Sequence, residues 1–190
     1  PRMISIAAAG GGLTFELGDV CTMMYQSQFD AVVSFNALHW VLDQHLALSR
    51  IAAALRPSGW ALLVFVCAGE RPSLESAAMK VVRSTAWRPY FQDFVAPFVH
   101  PDVGVWTDTA ESCGLRMTDA TIDDLAWDFE SRDQFVRWSS VGFGAWTDGL
   151  PTGMRGAFVS DAIDAYAQAT GSASVFRFLQ LRAQLRLDAP

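Results

Sequence analysis

Lysine is nearly missing from this 190-residue chain; its basic residues are almost all arginine, scattered singly, and the formal net charge is −6. No block of like charge stands out. Nucleic acid or an anionic membrane surface would want a cationic stripe, and none is present. Cysteine is scarce as well. Cys21, Cys67 and Cys113 lie far apart, their number is odd and no CxxC pair exists, so a disulfide framework or zinc ribbon is excluded and a reducing compartment is expected. Nothing basic flanks these thiols to stabilise a thiolate. The longest apolar run, "WALLVFVCA", falls short of the roughly 20 residues a bilayer crossing needs, and no stretch reads as a signal peptide. A cytoplasmic protein is expected. His45 and His100 have no partner at metal-ligand spacing, so no metal site is argued. Ser34, in "VVSFNA", does not sit in a GxSxG elbow, which removes a serine hydrolase.

Apolar residues make up 51% of the sequence and aromatics 12%. That composition belongs to a globular domain with a large core; a chain of this length buries roughly 70% of its unfolded surface. "RMISIAAA" reads as a short helix stopped by Gly10 to Gly12. "LTFELGDV" favours an extended backbone at Thr14 and Phe15. "FDAVVSF" is apolar without interruption, which suits a strand covered on both faces. Asp43 is a candidate N-cap for "QHLALSRIAAAL", where Leu48, Ile51, Ala52 and Leu55 recur at helical spacing. "RPSG" ends that helix and "WALLVFV" forms the next strand, giving a parallel crossover unit.

From about residue 69 to 105 the pattern changes. "SLESAAMKVVRSTAW" is helical, but "RPYFQDFVAPFVHPD" is aromatic and proline-rich without a clean period, as in an inserted cap. "VWTDTAESCGL" is a helix ended by Gly114, and "MTDATIDDLAWDF" is a strand. A helix starts at Ser131, and another ends at Gly171. In "LRAQLRL" the apolar residues alternate with Arg182, Gln184 and Arg186, which predicts an antiparallel strand.

In open α/β sheets ligands bind beyond the carboxyl ends of the strands. "GDV", "FNALHW" and "VCAGERP" fall at such ends. The order "LTFELGDV", "FDAVVSFNALHWV", "ALSRIAAALRPSGWALLVFV" resembles the second half of a class I S-adenosylmethionine-dependent methyltransferase. The "HW" pair and the aromatic cap narrow the likeness to the juvenile-hormone-acid and trans-aconitate carboxyl methyltransferases. The likeness is strongest over residues 13–66. It implies an α/β Rossmann-like sheet, mostly parallel with an antiparallel C-terminal strand, a helical cap over about 69–105, and the family's first two strands missing. Gly10 to Gly12 close a helix and precede a strand, the reverse of the strand–loop–helix order of a cofactor loop.

The same resemblance implies a set of roles. Asp19 would accept from the adenine amino group, with Val20 beside the ring. Phe35 and Asn36 would touch S-adenosylmethionine through backbone and side chain. His39 and Trp40 would hold the acceptor against the sulfonium methyl, as donors to a carboxylate that needs no base; with a phenol or hydroxyl acceptor His39 would serve as base. Trp87, Tyr90 and Phe94 would line an apolar substrate site under the cap. The implied partner is a small-molecule acceptor, with neither nucleic acid nor membrane, and an open sheet edge beside "DAVVSF" would invite self-association. Two other classes stay in view: a truncated methyltransferase-like domain that does not bind cofactor alone, and a nicotinamide enzyme, for which no fingerprint is present.

Overall fold

The computed structural model describes residues 12–188; the helix expected over "RMISIAAA" lies outside them. The described elements run β1 (Phe29–Phe35), α1 (Gln44–Ala54), β2 (Leu55–Val66), α2 (Leu74–Val82), α3 (Val103–Ser112), β3 (Leu115–Asp128), α4 (Arg132–Gly142), α5 (Gly144–Thr147), α6 (Thr152–Thr170) and β4 (Val175–Leu187), with short 3-10 turns at Leu38–Trp40 and Arg88–Tyr90.

Local chemistry sets the helix boundaries. The Asp43 side chain accepts from the Leu46 N–H at 2.8 Å, capping α1. Ser73 caps α2 and Ser131 caps α4 in the same way. At its far end α6 stops on Gly171, whose φ of 79° only glycine adopts without strain. Asp43→Ala removes the α1 cap, and a loss of about 1 kcal/mol is expected. For a domain of this size the melting midpoint should fall by roughly 2–4 °C in a thermal scan, and less for Asp43→Asn.

The strands lie in the order β1-β2-β4-β3. β1 and β2 are parallel, joined through α1; β2–β4 and β4–β3 are antiparallel. The antiparallel C-terminal strand therefore agrees with its alternating sequence, but the sheet as a whole is mostly antiparallel, which corrects the mostly parallel expectation. The reason is topological. One helical crossover links parallel neighbours, whereas β4 returns between β2 and β3 and reverses direction against both.

Two strand expectations are also corrected. "LTFELGDV" forms no strand pairing among the described residues: residues 13–18 carry no regular structure, and Leu13 and Leu17 are 75% and 78% exposed. The preference of Thr14 and Phe15 for extended backbone cannot make a strand without a neighbour to take its N–H and C=O groups. β1, apolar as it is, is not covered on both faces; it is an edge strand with Val33 and Phe35 exposed. "RPSG" does end α1, but β2 already begins at Leu55 and carries the turn as an irregularity. Ser58 has a φ of 64°, and a Cβ at Gly59 would come within 2.8 Å of the Arg56 carbonyl oxygen.

Two hydrophobic clusters hold the molecule. In the first, Leu63, Phe65, Leu181 and Leu185 of the sheet face Ile51 of α1 and Trp106 of α3. The second gathers Trp87, Phe135, Trp146, Phe158 and Tyr166 from α2's exit loop and the helices α4 to α6. A cavity lies where the carboxyl end of β1 meets this helical cluster. No described helix is long and apolar enough to cross a membrane.

Candidate active site

β1 ends at Phe35, and the chain reverses at Asn36 in the left-handed region (φ 51°). Its N–H donates to the Val64 carbonyl at 2.7 Å, and its Oδ1 accepts from Gln180 Nε2 at 2.8 Å. Asn36 thus ties the ends of β1, β2 and β4 together. The following 3-10 turn buries His39 and leaves Trp40 half-exposed. His39 is held through two groups: its carbonyl accepts from Val99 N–H at 2.8 Å, and its Nδ1 faces the Val66 N–H at 3.4 Å.

Burial, aided by neighbouring His100, lowers the His39 pKa to about 4. The ring is neutral at pH 7. With Nδ1 turned toward an N–H, the proton sits on Nε2, so His39 offers a donor there. A pKa this low weakens the ring as a general base near neutrality. His100 is also pushed below the usual histidine range by burial, with Glu75 opposing; its Nε2 is buried without a hydrogen bond, 3.8 Å from Glu75 Oε2.

Asn36, His39 and Trp40 line one cavity of about 520 Å3. Its other walls were not foreseen: Glu75 from α2, Trp127 and Phe129 at the end of β3, Trp138 from α4, and Phe176 and Phe178 from β4. The rings pack in a chain around it. Phe129 and Trp138 centroids are 5.1 Å apart, Trp138 and Phe176 5.5 Å, and Phe176 stacks on Phe178 at 5.0 Å. The one sequence signal was the Phe176, Phe178 spacing of two, which puts both rings on one face of β4.

The other predicted residues lie elsewhere. Asp19 and Val20 line a separate cavity of about 590 Å3 formed by residues 16–25. The Asp19 Oδ1 accepts from Cys21 N–H at 2.8 Å, and its carbonyl closes a turn with Thr22 and Met23. Phe35 is exposed. Trp87 is buried against Phe158 and donates to Asp161 Oδ2 at 2.7 Å; Phe94 packs on Phe91, and Tyr90 is half-exposed. Trp87, Tyr90 and Phe94 do not line the Trp40 cavity. Trp87 and Phe94 pack into the helical core instead. No group of three or more metal-ligating side chains converges among the described residues.

Residues 1–63, about a third of the chain, match the family described as "Methyltransferase domain". No curated protein matches by sequence. Solved structures do. A candidate methyltransferase from Bacillus halodurans shares 18% identity and a TM-score of 0.62, over 99% of this chain and 80% of that one. The YcgJ protein of Bacillus subtilis shares 16% identity and a TM-score of 0.65, over 100% and 80%. The cyclase SpnF shares 14% identity and a TM-score of 0.56, over 100% and 62%. At these identities the likeness concerns the fold. The matched segment and the first of these structures are both described as methyltransferase.

Of the residues expected to touch S-adenosylmethionine, Asp19 and Val20 front one cavity among the described residues and Asn36 another.

Proposed function

We propose that this protein is an S-adenosylmethionine-dependent methyltransferase whose small-molecule acceptor occupies the Trp40 cavity, under a cap built from residues 69–105 with α4 to α6. When bound, the cofactor supplies an electrophilic methyl group. The observation that carries the reading is the juxtaposition of His39 and Trp40, at the carboxyl end of β1, with a mostly aromatic cavity of about 520 Å3. Within it the protein's own tasks are to exclude water, align the acceptor against the rings, and offer the His39 Nε2–H as a fixed donor. The expected carboxylate acceptor has this donor in its favour. Against it stands Glu75, the one charged side chain on the wall: like charges at close range in a poorly hydrated site repel, and a full charge outweighs a neutral donor.

A second reading has its own support. A methyltransferase-like domain that does not bind cofactor alone would show what Asp19 and Asn36 show, predicted contacts divided between two cavities; SpnF, of similar fold, is named for a different reaction. Calorimetry with S-adenosylhomocysteine decides between them. Micromolar binding that Asp19→Ala weakens about tenfold, as for one lost charge-assisted hydrogen bond, is the expected result. Absence of heat up to millimolar ligand would leave the second reading.

A further inference from the structure

The wall of the Trp40 cavity has a charge pattern that the resemblance does not supply. Six of its side chains are aromatic: Trp40, Trp127, Phe129, Trp138, Phe176 and Phe178. Three of these are tryptophans with a third or more of their surface open to solvent: 39% for Trp40, 66% for Trp127 and 50% for Trp138. Exposed indoles clustered at one mouth are an apolar patch that a soluble domain has reason to cover, and they mark a binding surface. The single charged side chain among the lining residues is Glu75.

Among the described residues no arginine or lysine pairs with that carboxylate. Its neighbour at 3.8 Å, His100, is pushed below the ordinary histidine range by burial, as is His39, so neither is a fixed cation. Arg71, Lys80 and Arg177 line an adjoining cavity, and the Arg71 guanidinium is already held by both oxygens of Asp124, at 2.9 and 2.6 Å. Glu75 stands in the first turn of α2, so the helix N-terminus reduces its field without reversing it. Partly desolvated aromatic faces attract a cation through their quadrupoles, and a carboxylate beside them adds a charge-assisted partner.

We infer that the Trp40 cavity takes an organic ammonium ion with an aromatic or apolar tail, its cationic head between Glu75 and the indole faces. The inference concerns binding alone and goes beyond the methyltransferase reading, which it does not require. The cavity's electrostatics then select by sign. An ammonium is attracted by the wall, a neutral analogue is held by its tail alone, and a carboxylate of the same size is repelled.

Calorimetry on the intact chain at pH 7 tests this with three ligands of matched size: 2-phenylethylammonium, 2-phenylethanol and 3-phenylpropionate. The ammonium should bind about tenfold or more tighter than the carboxylate, with the alcohol between them. Glu75→Gln should weaken the ammonium about tenfold and leave the alcohol within about twofold. Equal or tighter binding of the carboxylate, no ammonium binding at millimolar concentration, or an ammonium affinity untouched by Glu75→Gln would each overturn the inference. Should the variant fail to fold by circular dichroism, the order of the three ligands on the unaltered protein still decides. Failure of the two proposals can be told apart: ammonium selectivity without S-adenosylhomocysteine binding removes the methyltransferase reading, and the reverse pattern removes this one.

Discussion

Trp106→Ala should destabilise the protein by about 3–5 kcal/mol, the largest single-residue loss expected in this structure. Trp106 is 1% exposed and sits at the centre of the sheet's core. Its ring lies 4.9 Å from that of Phe65, and its Nε1–H donates to Gln44 Oε1 at 3.0 Å. The same glutamine donates from Nε2 to the carbonyls of Leu38 and Val41, the former within the turn that carries His39. Truncation therefore opens a large cavity and also leaves Gln44, the anchor of the turn that carries His39, with an unpaired amide oxygen. Urea unfolding measures the loss. Trp106→Phe fills much of the volume without the donor and should cost about half as much. If Trp106→Ala unfolds at the wild-type midpoint, the proposed core is wrong.

The second large effect concerns acid. The His39 pKa falls from an ordinary 6.5 to about 4 on folding, chiefly through burial. The unfolded chain therefore binds a proton that the folded chain refuses throughout the interval between those values. Stability contributed by neutral His39 is whole above pH 6.5 and is lost progressively as pH falls toward 4. A shift of this size corresponds to about 3 kcal/mol; discounted for solvent reaching the ring through the cavity, a loss of about 2 kcal/mol is expected. His100 acts in the same direction, and Glu75, on α2, is the charged group facing it. His39→Gln keeps an acceptor for Val66 N–H but does not titrate. Unfolding free energies at pH 7 and pH 4.5 should differ by about 2 kcal/mol less in that variant than in the wild type. Equal differences would show that the imidazole takes up its proton without cost.

What was legible in the sequence were features decided by neighbours along the chain. Asp43 and Ser131 announced helix starts because a cap needs only the next three residues, and Gly114 and Gly171 announced stops because only the backbone at one position matters. β4 showed its antiparallel, one-sided burial in the alternation of Leu181, Ala183 and Leu185 with Arg182, Gln184 and Arg186. Features decided by distant partners were not legible. Thr14 and Phe15 read as strand, yet no described strand pairs with them. The apolar run of β1 carried no sign that it would lie at an edge. At the candidate site, Asn36, His39 and Trp40 share a cavity because they follow one strand end in the sequence. Glu75, Trp127, Trp138 and Phe176 reach the same cavity from four other elements or their flanks, across a hundred residues, and no local period records such convergence.

The strand order has a consequence for assembly. β4, latest of the described strands in the chain, stands between β2 and β3, with neither touching the other except through it. During synthesis β2 and β3 must wait with their hydrogen-bonding edges open until Val175–Leu187 arrives to bridge them. The central pairing is thus the most distant in sequence, its loop-closure entropy falls due late, and the half-made sheet passes through an aggregation-prone stage that a chain with sequential neighbours would avoid.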